Sequence, residues 1–209
     1  MRPLAVRAGQ GRALESGLPL ILYAWKFTVM SLHNVTPGKK APQEFNVIIE
    51  IPMNGDPIKY EVDHETGALF VDRFMSTSMH FPCNYGYNPN TLAYDGDPVD
   101  VLVVTPVPLI PGVVVKCRPL GLLRMDDEAG GDNKLLAVPI DRILSIYTQW
   151  KKPEDLNPMR LKTIQHFFEH YKDLEEGKWV KVLGWAGPEA ACEEILKGIQ
   201  LFKDSPVKS

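Results

Sequence analysis

The sequence predicts a mainly β, α+β domain in which an antiparallel barrel or sandwich is followed by two packed helices. Short β-rich runs recur from residue 45 onward between Pro and Gly punctuation, the pattern of an all-β unit without crossover helices. Most of the 18 prolines stand at the ends of those runs, where a missing N–H leaves no gap in a ladder. A helical period of apolar residues appears only after Pro153, so the helices follow the strands.

Taken in order, the first 29 residues are basic, nearly acid-free and rich in Gly and Ala, the composition of an organelle transit peptide or the start of a secretory signal. Met30 is followed directly by Ser31-Leu32-His33-Asn34-Val35, and a clear pattern begins only after it. Residues 1–30 are therefore read as a poorly ordered basic extension, and residues 31–209 as a single domain. The predicted strands are Phe45–Ile51, Ile58–Asp63, Leu69–Arg73, Val99–Val104, Gly112–Pro119, Leu122–Met125, Lys134–Val138 and Val180–Trp185. Between Pro153 and Leu174, Ile164, Phe167, Phe168 and Tyr171 fall on one helical face, which should pack inward. A second helix is expected from Pro188, a favoured first-turn proline, with Cys192, Ile195, Leu196 and Ile199 on one stripe.

Charge narrows the function. The formal net charge is −3, and residues 1–30 carry four bases against one acid, so the body holds −6. An acidic body without a basic aromatic stripe argues against a nucleic-acid partner. The longest apolar run, Leu18–Trp25, is too short to span a bilayer and holds Pro19, so no membrane helix is expected. Three cysteines without a C-x-x-C pair suggest neither a disulfide framework nor a structural zinc site, and fit a reducing compartment.

The acids are clustered. Asp95-Gly96-Asp97-Pro98-Val99-Asp100 puts three carboxylates in one turn, and Asp126-Asp127-Glu128-Ala129-Gly130-Gly131-Asp132-Asn133-Lys134 repeats the device between two other strands. Asp and Gly favour turns for local reasons, but two such turns beside charged strands raise carboxylate pKa values unless cations compensate. Hard divalent ions such as Mg²⁺ are the natural compensation. In Ile58-Lys59-Tyr60-Glu61-Val62-Asp63 the charged residues share one face. Glu50 interrupts an apolar run; it is either solvated on the outer face or points into a barrel mouth, where it needs a metal or a lysine.

Two rival motifs fail. A calcium loop needs Asp or Asn at its fifth position and Glu at its twelfth, where this chain has Val99 and Pro106. His166-Phe167-Phe168-Glu169-His170 matches the H-x-x-E-H pattern of one zinc peptidase class, but its polar residues lie opposite the apolar helical face and are read as solvated. No phosphate loop of the G-x-x-x-x-G-K-[ST] type supports a nucleotide-polyphosphate hydrolase. Carboxylates hold metals, while Arg and Lys neutralise phosphoryl oxygens. Together they indicate metal-assisted phosphoryl hydrolysis.

The segments Glu50-Ile-Pro, Asp56-Pro-Ile-Lys59-Tyr-Glu61, Gly67-Ala-Leu-Phe-Val-Asp-Arg73, Pro82-Cys-Asn-Tyr85-Gly-Tyr87, Asp95-Gly-Asp97-Pro-Val-Asp100, Asp127-Glu128, Asp132, Lys134 and His170-Tyr171-Lys172 closely resemble the soluble family I inorganic pyrophosphatases of bacterial type. The resemblance covers residues 31–203. It implies a five-stranded OB-like barrel with packed helices that hydrolyses pyrophosphate, as its Mg²⁺ complex, to two orthophosphates with several Mg²⁺ ions. By position, Asp95, Asp100, Asp127 and Asp132 match the metal ligands, with Glu50 and Glu61 contributing more distantly. Asp97 matches the carboxylate that activates the attacking water, and Lys59, Arg73, Tyr85, Lys134, Tyr171 and Lys172 match the substrate binders. The resemblance further implies a cytoplasmic homo-oligomer, commonly a hexamer. One departure stands in the site region, where Phe81 replaces a tyrosine usual in the family.

Overall fold

The strand pattern closes on itself. The computed structural model describes residues 32–63 and 65–205; the basic extension read at residues 1–30 lies outside the described residues. The strands are β1 (Phe45–Ile51), β2 (Ile58–Val62), β3 (Leu69–Phe74), β4 (Asn84–Tyr87), β5 (Asp100–Val103), β6 (Val114–Asp127), β7 (Gly130–Gly131), β8 (Lys134–Pro139) and β9 (Val180–Ala186). Helix α1 (Pro158–His170) precedes β9 and α2 (Pro188–Asp204) follows it. Strands β1, β4, β5, β8 and β6 pair in that order, and β6 pairs back onto β1, giving the closed five-stranded ring of an OB-like barrel. Closure leaves these five strands no free edge. Strand β9 extends the sheet along the far half of β6, and β2–β3 forms a separate two-stranded hairpin.

Strands β5 and β8 are apolar on both faces because each face meets a different core. Leu102 and Leu136 pack with Ile164, Phe167 and Phe168 of α1, while their neighbours Val101, Val103, Leu135 and Ala137 pack with Ala191 and Ile195 of α2. Period-two alternation thus divides one sheet between two helices. Helix α1 begins where Asn157 Oδ1 accepts the N–H of Met159 and Pro158 takes the first turn.

Four expectations need correction. The barrel is not wholly antiparallel, since β5 and β8 run parallel; this pairing joins residues more than 30 apart and leaves no local signal. The runs Gly112–Pro119 and Leu122–Met125 are one strand, β6, carried through Pro119 by a register shift between Pro119 and Gly121; a bulge is where a strand accepts proline. Strand β4 is missing from the expected set because Asn-Tyr-Gly-Tyr reads as a turn. Gly86 is nevertheless required there, since a Cβ at that position would stand 1.9 Å from the Ile48 carbonyl oxygen. Helix α1 is shorter than the Pro153–Leu174 span, and α2 buries Ala191, Ile195 and Gly198 while Leu196 is half exposed.

Candidate active site

The first acidic turn delivers its side chains at the entrance to β5. Gly96 has φ +93°, a conformation that favours glycine, and the N–H of Asp97 donates to Asp95 Oδ1 at 3.0 Å. Asp95 and Asp97 are exposed, whereas Asp100, already in β5, is partly covered. The second acidic turn is the tight β6–β7 hairpin. Asp127 Oδ1 accepts the N–H of Ala129 at 2.8 Å, and the N–H of Asp132 donates to the Met125 carbonyl at 2.8 Å. Tyr171 caps the end of α1, with its N–H on the Phe167 carbonyl at 2.9 Å, and Lys172 follows it inward. Hairpin β2–β3 carries Lys59, Glu61 and Arg73 over the same opening, Lys59 directly opposite Arg73.

These elements bound two adjoining hollows that share Lys59, Tyr85, Asp97 and Asp100. One adds Glu50 and Glu61. The other, a cavity of about 330 Å³, adds Arg73, Asp95, Asp127, Asp132, Lys134, Tyr171 and Lys172. Every residue matched by position to a metal ligand, water activator or substrate binder therefore lines this one depression. Glu50 points inward: it is buried, and its Oε1 accepts the N–H of Val62 at 2.8 Å. Phe81 lies on the wall, its ring tilted against Phe167 and Tyr85 with centroids 4.8 and 5.3 Å away.

The cations are already engaged. Buried Lys134 bonds both Asp100 and Asp132, and its ammonium lies 5.8 Å from the Tyr85 ring centroid. Lys172 Nζ bonds Asp127 Oδ2 at 2.7 Å and lies 3.4 Å from Glu128 Oε1. Lys59 bonds Glu61. Arg73 Nη1 donates to Asp72 Oδ2 at 2.9 Å, but its buried Nε has no hydrogen-bond partner and stands 3.7 Å from Glu175 Oε1. An unsatisfied guanidinium N–H at the edge of a hollow is a donor available to an oxyanion.

Burial and like charge shape the acid-base properties. Burial pushes the Glu50 carboxyl up to about 8, against the lowering effect of the Val62 N–H, and Asp100 and Glu61 raise it further. Asp97 is also raised, first by desolvation and then by Asp95, Asp100 and Glu61. Desolvation alone would lower Lys134, but Asp100, Tyr85 and Asp132 lift it well above the usual lysine range. Burial raises the hydroxyls of Tyr85 and Tyr171, keeping both protonated as hydrogen-bond donors.

A family profile described as Inorganic pyrophosphatase matches residues 47–203. The chain belongs to the inorganic pyrophosphatase family. Among curated members, the inorganic pyrophosphatase of Escherichia coli strain K12 is 59% identical over 175 residues, covering 84% of this chain and 99% of that one. That of Xanthomonas campestris pv. campestris is 55% identical over 178 residues, covering 85% and 100%. A solved inorganic pyrophosphatase from Coxiella burnetii is 54% identical and superposes with a TM-score of 0.78 over 80% of this chain and 99% of its own. Membership in the inorganic pyrophosphatase family makes the chain a hydrolase.

Several residues of this hydrolase's hollow escaped sequence reasoning. Lys178 lines the cavity and pairs with Glu175 Oε2 at 3.3 Å, so Glu175 lies between Lys178 and Arg73. Glu65 and Asp72 line the hairpin side. The Glu175-x-x-Lys178 spacing directly after Tyr171-Lys172 was a usable signal; the hairpin acids gave none beyond ordinary surface charge. Among the described residues, no three of the hollow's carboxylates bring oxygens within 4.8 Å of one another.

Proposed function

We propose that the chain hydrolyses pyrophosphate to two orthophosphates in this hollow, with Mg²⁺ as obligatory cofactor and the Mg²⁺ complex as substrate. The observation that carries the reading is a charge excess, ten acidic side chains against five cationic ones along the lining. An anionic substrate would be repelled from such a surface unless hard cations overcompensate it. The donor set fits them, since the carboxylates of Asp95, Asp100, Asp127 and Asp132, with Glu50 and Glu61 further off, supply only oxygen. Bound Mg²⁺ supplies charge neutralisation and acidifies water at neutral pH.

The chain's own residues do the rest. Lys134, Lys172, Lys59 and Arg73 supply the cationic groups that bind phosphoryl oxygens. Tyr85 and Tyr171 donate hydroxyls, since burial keeps both protonated. Asp97, exposed at the junction of the two hollows, accepts the proton of the attacking water. As the water oxygen bonds to one phosphorus, that phosphorus loses its bond to the bridging oxygen, and the second phosphate departs. The lining cations stabilise the negative charge that grows on it.

By the same family reading the protein works as a cytoplasmic homohexamer. No described helix is long and apolar enough to cross a membrane. The deciding experiment is orthophosphate release from pyrophosphate by the purified chain, with Mg²⁺ and with excess chelator, beside ATP and tripolyphosphate. Fast release from pyrophosphate that vanishes in chelator is expected. Appreciable hydrolysis in chelator sinks the metal requirement, and no release by folded, Mg²⁺-loaded protein sinks the activity.

A further inference from the structure

The first acidic turn is held from behind. Residues 91–99 leave the barrel at Thr91 and return at Val99, one residue before β5, with Asp95 and Asp97 exposed at the tip. One hydroxyl closes the neck of this loop: Thr91 Oγ1 donates to the Asn88 carbonyl at 2.6 Å and accepts the Val99 N–H at 3.0 Å. Farther out, the N–H of Ala93 donates to the Asp97 carbonyl at 2.7 Å. Thr91 is buried and lines neither hollow.

Helix α2 braces the same neck from outside. The N–H of Leu92 donates to the Gly198 carbonyl at 3.0 Å. Gly198 is buried inside the helix, where glycine is less favourable than alanine, yet the close approach requires it. A Cβ there would stand 2.6 Å from Val99 Cγ2, 3.1 Å from Thr91 Cβ and 3.3 Å from the Leu92 carbonyl oxygen. Its neighbour Lys197 sets its ammonium 3.7 Å from the centroid of the Tyr94 ring, directly before Asp95. Gly198, like Thr91, lines neither hollow.

Three carboxylates on one short loop repel one another. Were the loop free, a bound cation would have to draw it together, and ordering it would consume binding free energy. A neck fixed in advance removes that cost. We propose that Thr91 and Gly198 are positioning residues: touching neither metal nor substrate, they fix Asp95, Asp97 and Asp100 in the arrangement that holds Mg²⁺ and accepts the proton of the attacking water. This rests on the Mg²⁺-dependent reading of the hollow.

The test is isothermal titration calorimetry of the full-length protein with Mg²⁺ and no substrate, beside pyrophosphate hydrolysis at saturating Mg²⁺ and urea unfolding in chelator. Thr91→Val keeps the side chain's shape and removes both hydrogen bonds. It should weaken Mg²⁺ binding about tenfold or more and lower kcat, and Thr91→Ser, which retains the hydroxyl, should restore both. A natively folded Thr91→Val that binds Mg²⁺ and turns over like the parent, whatever its stability in urea, overturns the proposal. If Thr91→Val does not fold, Gly198→Ala decides, because it presses one methyl against Val99 and leaves the hydroxyl in place. Mg²⁺ binding weakened about tenfold supports the positioning role, and binding equal to the parent's excludes it. A parent protein that binds no Mg²⁺ fails at the reading of the hollow itself, before any variant is compared, and the inference falls with it.

Discussion

Lys134 and Lys59 bring the same charge to the same depression from different mounts. Lys134 stands in β8, inside the closed ring, with 4% of its side chain exposed and a carboxylate on either side. Lys59 stands in β2, half of a two-stranded hairpin outside the ring, with 27% of its side chain exposed. Facing it, most of β3 is solvent-exposed, including Phe70, Val71 and Phe74. The hairpin joins the barrel through a few contacts, chiefly Val62 packed with Ile48 and Tyr87, and the Glu50 carboxylate on the Val62 N–H. A cation built into the ring is part of the fold as well as of the chemistry. One carried on a hairpin bears little on the fold, and can shift at little cost to the rest of the chain.

The largest expected effect tests the ring side of that contrast. Lys134→Ala leaves Asp100 and Asp132 partly buried without their cation, and breaking such a pair destabilises by about 3–5 kcal/mol. Urea unfolding of the metal-free variant should show that loss, and added Mg²⁺ should restore part of it by binding only the folded state. A stability equal to the parent's would mean that the ring tolerates its uncompensated acids, and the contrast would collapse.

Next in size is Asp97→Asn. Asp97 is exposed and makes no ion pair among the described residues, so its loss should spare the fold while lowering kcat by about two orders of magnitude or more. Steady-state kinetics beside a urea titration separates the two quantities; an unchanged kcat removes Asp97 from the proton-accepting role. Arg73→Ala comes third. As a half-exposed hairpin residue it should change stability by no more than about 0.5 kcal/mol, yet raise KM about tenfold or more through the lost charge-assisted bond to phosphate. A stability loss comparable to that of Lys134→Ala would show the hairpin to be as integral as the ring.

What the sequence made legible follows the same division. Residue types and local spacing exposed the two acidic turns, because Asp-Gly-Asp-Pro-Val-Asp is a contiguous string whose charge has to be compensated. They also exposed the inward face of α1, where three aromatic or aliphatic residues recur at helical period. Pairings between distant segments were illegible. Lys172 and Asp127 are 45 residues apart, the parallel contact of β5 with β8 has no sequence cue, and β4 is a strand only because ring closure buries a tetrapeptide that alone reads as a turn. The inward direction of Glu50 was likewise undecidable, because an acid in an apolar run has two permitted faces and only the hairpin's backbone N–H selects one.

The smallest effect lies between the two mounts, at Phe81, where an aromatic ring belongs to the core and to the hollow at once. It is 4% exposed and packs on Phe167 and Tyr85, so its apolar contacts already serve the fold without a hydroxyl. In Phe81→Tyr the new O–H either reaches the hollow or is forced into the core. In the first case it adds one neutral hydrogen bond to the site, worth about 0.5–1.5 kcal/mol, and KM falls by no more than about tenfold at unchanged stability. In the second the extra atom overpacks the Phe167 contact, and stability drops by about 1–3 kcal/mol. The hollow is the expected direction, because Phe81 lines it beside Met75 and Phe168. Paired urea and KM measurements distinguish the cases; a stability loss without a gain in KM would assign Phe81 to the core alone.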